Sequence, residues 1–231
     1  MRPMCRILAM LPVAVLAGAA ACGGPEVGPR IPRADTPSAD VGPPRAAVPP
    51  VAQPESTAAQ PIGPASTDLR DVDWTRATLP GDFCNVPELV TYEDGQATAT
   101  SQTWGDVHLV VLSENIVYGD FDGDNRNEAA VNIYCNNGGG TASGQLAFGY
   151  VIVRAIDGTL QVIGTVTPQF EPSDAAHVSL LAGVRYGVGE LTIDEAWYRP
   201  SDATCCPTGT AKTTWTEQDG RLVPGTPVVA S

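Results

Sequence analysis

Basic side chains are scarce in this 231-residue chain. Thirteen Lys and Arg stand against 26 Asp and Glu, a formal net charge of -13, and nearly all of the acidic excess lies after residue 67. Such a surface repels phosphate backbones and bare anionic lipid, which argues against nucleic acid as a partner. Histidine is scarcer still. His108 and His177 are the only two, far apart and without metal-ligand spacing to a neighbour, so a shared zinc would have to be assembled by the fold. The motifs G-x-S-x-G and H-E-x-x-H are missing, and no lysine follows the Gly-rich stretch "NNGGGTASG" (136–144). These absences remove three well-marked routes to hydrolysis and phosphate binding. No stretch sustains a helical hydrophobic period, and no apolar run reaches the roughly 20 residues of a membrane span.

What is present divides the chain unevenly. Met1 to Ala21 carries Arg2 and Arg6, then an apolar run from Ile7 ending in small residues, the layout of a secretory signal peptide. The run closes on "LAGAAAC" (16–22), which resembles a bacterial lipobox. The resemblance implies that Cys22 becomes the lipidated first residue of the mature chain. Cysteine arithmetic agrees: with Cys5 removed, Cys22, Cys84, Cys135, Cys205 and Cys206 form an odd set, and lipidation of Cys22 removes the odd thiol. The other four belong to an exported chain, where disulfides persist. Bonding Cys205 to its neighbour Cys206 strains the peptide between them, so each is expected to reach Cys84 or Cys135. Zinc held by the four thiols is the rival reading, but C-x-x-C spacing is missing.

From Gly23 to Thr67 the chain holds eleven of its 21 prolines and no aromatic residue. Such a segment cannot bury enough apolar surface to offset the entropy of ordering it. Residues 22–67 are read as a disordered tether behind the lipid anchor, reaching roughly 40 Å as a coil and about 140 Å as extended polyproline structure. From Asp68 the texture changes to β-branched and aromatic runs: 108–112, 115–121, 128–135, 145–155, 160–166, 190–198 and 211–218. Turn signals separate them, among them "DGDN", "NNGGG" and the Asp-Gly pairs at 157–158 and 219–220. Residues 68–231 are therefore expected to form one mainly β, antiparallel domain: a sandwich, an open barrel or a rolled meander. Within it Val151 to Val166 reads as a hairpin about Asp157-Gly158, and "DFCNVPELV" (82–90) has room for a turn or two of helix.

The segment "YGDFDGDNRNEAAV" (118–131) concentrates the chemistry. Asp120, Asp122 and Asp124 alternate around a tight loop, and Glu128 closes it from the next strand. Together with the Arg126 carbonyl, these oxygens match the six to eight hard ligands calcium takes. Without a cation, four close carboxylates repel or take up protons. Asn125 stands where such loops carry Gly, and Asn tolerates the left-handed backbone needed there. A full EF-hand is ruled out, because its twelfth position is Val131 and that residue reads as strand. Strand, D-x-D-G-D loop, acid, strand resembles the calcium-binding hairpin of FG-GAP and VCBS repeats. There is no second copy, so a propeller of such repeats is not implied.

A wider resemblance, carried by "YGDFDGDNRNEA" (118–129), "GGGTA" (138–142) and "DATCCPTG" (202–209), is to secreted actinobacterial lipoproteins of uncharacterised function. It implies localisation and architecture, with no activity attached.

Two further groups of side chains invite a functional reading. Glu190, Asp194 and Glu195 beside Trp197 and Tyr198 are candidates for a sugar cleft. Strand alternation instead puts Glu190, Asp194 and Tyr198 on a solvated face, opposite Leu191, Ile193 and Trp197. The cysteines of "DATCCPTGTAKTTW" (202–215) read as a disulfide anchor for the last hairpin. The expectation is a protein exported and anchored by lipid to the outer face of the cell membrane, with a structural calcium and a non-catalytic binding or assembly role toward an envelope protein or glycan. A carboxylate-dependent envelope hydrolase is one alternative, and a soluble secreted inhibitor or signalling protein is another.

Overall fold

The computed structural model describes residues 60–139 and 141–230. Cys22, the signal segment and the tether up to residue 59 lie outside them. The described residues form β1 (Gln60–Pro64), β2 (Thr78–Gly81), β3 (Val86–Thr91), β4 (Gln96–Ser101), β5 (Gly105–Val111), β6 (Val117–Gly119) and β7 (Glu128–Asn136). They continue as β8 (Gln145–Ile156), β9 (Thr159–Val166), β10 (Leu180–Gly187), β11 (Glu190–Trp197), β12 (Gly209–Gln218), β13 (Arg221–Pro224) and β14 (Val228–Ala230). Helical structure among them is confined to three-residue 3-10 turns, and every strand pairing is antiparallel.

The main sheet runs β1-β9-β8-β7-β5-β4, with β6 pairing the first half of β7. It stays open, with β1 and β4 as its edges. Both of its faces are covered, which is why β7 is buried at nearly every position and β8 through its middle, from Phe148 to Val153. On one face Val131, Ile133, Val151 and Val153 pack against Leu69, Trp74, Leu79 and Val90 from the 3-10 turns and the β2–β3 ribbon. On the other, Phe148, Tyr150, Ile152 and Ile163 pack against Leu181, Leu191, Ile193 and Trp215 of the second sheet, β10-β11-β12-β13. Alternation along β7 thus feeds two cores, each fully buried Val, Leu or Ile contributing about 1.5–3 kcal/mol.

The hairpin expected over 151–166 is the β8–β9 pair, turned by Asp157 (φ 50°) and Gly158 (φ 75°). Its register shifts at one bulge, between Ile152 and Val153. The stretch 82–90 holds a 3-10 turn, Asp82–Cys84, and then β3. Within the stretch read as tether, the described residues 60–64 form β1, which pairs β9 ahead of Asp68. Pro61 and Pro64 are compatible with it because it is an edge strand.

The disulfides depart from the expected pairing. Cys84 bonds Cys135, with Cα atoms 6.2 Å apart, and Cys205 bonds Cys206. The reason lies in the layers. Cys84 and Cys135 are both buried in the first core, whereas Cys205 and Cys206 stand exposed in the loop between β11 and β12. The bridge at 205–206 consequently ties no hairpin to the rest of the fold. Asp202 holds that loop instead, accepting from the amides of Arg199 and Thr208 at 2.8 Å each and from the Thr208 hydroxyl. Tyr198 adds a bond from its hydroxyl to the Thr204 carbonyl, 3.0 Å.

Candidate metal centre

β6 and β7 pair from Val117↔Ala130 to Gly119↔Glu128, so residues 120–127 form the loop of a hairpin. Two features seat it against the second sheet. The ring of Tyr186 lies so close to Gly119 that a Cβ there would fall 2.5 Å from it. Phe121, between the first two aspartates, is fully buried in the second core, and its carbonyl accepts from the amide of Gly189 in the β10–β11 turn at 2.7 Å. An aromatic side chain inside the loop thus fixes the carboxylates on either side of it.

The loop's own amides orient those carboxylates. Asp120 accepts from Gly123 N (2.8 Å) and Asn125 N (3.0 Å), Asp122 from Asp124 N (3.1 Å), and Asp124 from Arg126 N (2.8 Å). Gly123 (φ 80°) and Asn125 (φ 65°) take the left-handed backbone that turns these donors inward. One oxygen from each of Asp120, Asp122 and Asp124 lies within 4.8 Å of the others. The Arg126 guanidinium bonds Asp124 at 2.6 and 2.8 Å and holds that carboxyl below its usual range.

Glu128 stands slightly apart from the trio. It is only 3% exposed, and its Oε2 accepts from Phe121 N at 2.5 Å. Burial pushes its pKa up to about 7; the Phe121 amide opposes that rise, and the charges of Asp122, Asp124 and Asp120 add to it. The donor set is therefore all hard oxygen, partly prearranged, and short of positive charge. It fits a calcium ion, which takes carboxylates and carbonyls in flexible geometry, better than a metal needing nitrogen or sulfur.

The remaining candidates are scattered. Glu190 is exposed, and Asp194 lies on the open face of β11, bonded to Arg185 and 3.7 Å from Lys212. Glu195 shares the buried face with Leu191 and Ile193 and is 1% exposed. It accepts from the amides of Gln169 and Phe170, each at 2.9 Å, and from the Thr213 hydroxyl at 2.6 Å. Its phase with Leu191 and Ile193 was the available signal for that burial. Tyr198, expected on the solvated face, is buried, because β11 ends at Trp197 and alternation ends with it. His108 is exposed on β5, while the His177 ring meets Tyr198 edge-on at 4.9 Å. No protein-family model matches the chain, and neither a curated protein nor a solved structure matches it.

Proposed function

We propose that this is an exported, lipid-anchored cell-envelope protein whose β unit binds or assembles with an envelope component and is clamped by one structural calcium. The observation that carries the calcium reading is the convergence of the Asp120, Asp122 and Asp124 carboxylates, each held by amides of the same loop. Asp120, Asp122, Asp124, Glu128 and the Arg126 carbonyl would hold the ion. When bound, it would supply the positive charge that the cluster otherwise draws from Arg126 and from proton uptake. A ligand set of this kind fills the coordination sphere, which favours a structural over a catalytic ion.

The position of the loop gives the clamp a purpose. It joins β6 of the main sheet to the β10–β11 turn through the Gly189–Phe121 bond, so fixing it would fix how the second sheet seats on the first. Anchoring rests on the signal-like segment and Cys22.

Two measurements test the proposal. Calorimetric titration of calcium into the chelator-stripped chain is expected to give one site, lost in Asp122→Ala; absence of heat and of any spectroscopic change ends the calcium reading. Intact mass of the mature native protein is expected to show diacylglycerol on Cys22; a start elsewhere or an unmodified Cys22 ends the anchoring reading.

A further inference from the structure

The four cysteines of the β unit sit in opposite surroundings. Cys84 and Cys135 are both fully buried in the first core, and their bridge spans a sequence separation of 51. Cys205 and Cys206 are bonded to each other at the surface, where the preceding Ala203 and Thr204 are exposed as well. A disulfide stabilises mainly by restricting the unfolded chain, and that effect shrinks with the loop it closes. A bridge between sequence neighbours closes almost none.

The loop does not need that bridge for its shape. Asp202 brackets the cysteines, accepting from Arg199 N before them and from Thr208 N after them, each at 2.8 Å. Inside the bracket Cys206 N donates to Ala203 O at 3.0 Å, and the Tyr198 hydroxyl donates to Thr204 O at 3.0 Å. At the foot of the loop Gly209 pairs Trp197 so closely that a Cβ on Gly209 would fall 2.2 Å from the indole ring. Hydrogen bonds and packing thus fix the loop, and the sulfur pair stands exposed on it.

We infer that Cys205–Cys206 is a thiol–disulfide exchange site, which takes two electrons from a dithiol donor. Exchange requires a thiolate to reach a sulfur, so exposed bridges are the labile ones and buried structural bridges resist reduction. One donor thiolate attacks a sulfur of the bridge, the S–S bond breaks, and the other sulfur leaves as a thiolate that takes up a proton. The donor's second thiolate then attacks the mixed disulfide and closes the donor's own disulfide. The remaining cysteine leaves as a thiolate and takes up the second proton. Two electrons and two protons have then passed from the donor to the pair. A monothiol is a poorer donor, because its mixed disulfide lies one residue from the freed sulfur, which can attack and expel it. The pair is separate from the carboxylate loop, and the inference does not depend on calcium there.

The native mature chain, oxidised and treated with dithiothreitol near neutral pH, then quenched by alkylation and mapped by peptide mass, tests this. Alkylation is expected at Cys205 and Cys206 about a hundredfold sooner than at Cys84 and Cys135, with the near-ultraviolet circular dichroism of the folded chain unchanged. Glutathione at the same thiol concentration should reduce the pair about tenfold less. Glutathione disulfide, added after the donor is removed, should restore the bridge with no glutathione retained. In Cys206→Ser the neighbouring sulfur is gone, and glutathione should stay on Cys205. A C-x-x-C protein dithiol run beside dithiothreitol identifies the source of the electrons: faster reduction assigns a protein donor, slower reduction a small-molecule one. Reduction of the pair no sooner than Cys84–Cys135, loss of the folded spectrum on its reduction, or glutathione as effective as dithiothreitol would overturn the inference. So would glutathione retained on the reoxidised native pair.

Discussion

The backbone amide of Asn125 donates to the carboxylate of Asp120 across 3.0 Å, and it does so from a left-handed backbone with φ of 65°. A side chain that tolerates this conformation is therefore part of how the carboxylates are aimed. Asn125→Gly is expected to keep both stability and calcium response, because Gly adopts positive φ without penalty. Asn125→Val should cost about 1–2 kcal/mol and weaken the calcium response. Equal melting temperatures for the Gly and Val variants would contradict this account of the loop.

The two disulfides should differ sharply in what they contribute. Cys84–Cys135 closes a sequence separation of 51 residues and joins the β2–β3 layer to the central strand β7. Removing it with Cys84→Ala/Cys135→Ala should cost about 2–5 kcal/mol. Cys205–Cys206 has a sequence separation of 1 and restricts almost nothing in the unfolded chain. Cys205→Ser/Cys206→Ser should leave the denaturation midpoint nearly unchanged. Chemical denaturation of the two double variants decides the matter.

Glu195 is a buried carboxylate with three donors turned toward it. Glu195→Gln keeps an acceptor oxygen for part of this set, whereas Glu195→Leu leaves the two amides and the Thr213 hydroxyl unpaired. Each unsatisfied donor costs about 1–3 kcal/mol. The Leu variant should therefore be the less stable by several kcal/mol, read from urea midpoints. A Leu variant as stable as the Gln variant would show that water reaches these donors.

Asp82 supplies a pH dependence. Burial raises its pKa above the ordinary 3.8, while hydrogen bonds from the Thr165 hydroxyl and the Phe83 amide, at 3.0 and 2.9 Å, pull the other way. The folded state thus binds this proton more tightly than the unfolded state. Its contribution to stability falls as pH rises from the unfolded value through the folded one. Asp82→Asn retains an acceptor and should raise the melting temperature at pH 7 while flattening the slope between pH 4 and 7. A lower melting temperature at pH 7 would contradict the assignment.

Much of this architecture was legible in local residue patterns. Asp157-Gly158 and Asp219-Gly220 read as tight turns, and both pairs take positive φ. The run 128–135 read as a strand, and it forms most of β7; that both its faces are covered was not read from it. What escaped was structure whose pattern is broken by bulges or small residues. β10, reading LLAGVRYG, shifts register between Leu181 and Gly183 and loses its alternation there. β4, reading QATATS, is too polar to announce itself. The pairing of four cysteines depended on which layer each occupies, and no local pattern encodes that. In the candidate site, spacing alone brought Asp120, Asp122 and Asp124 into view. The anchoring by Phe121 and the burial of Glu128 required the second sheet to be in place.

The calcium clamp is tested by the melting temperature of the chain with 10 mM calcium and with chelator, for the native sequence and for Asp122→Ala. An affinity near 1 mM, in the range of extracellular calcium modules, predicts a gain of about 1.4 kcal/mol, or roughly 3–6 °C, in the native sequence alone. A melting temperature indifferent to calcium in both, or a rise that survives Asp122→Ala, would contradict the clamp.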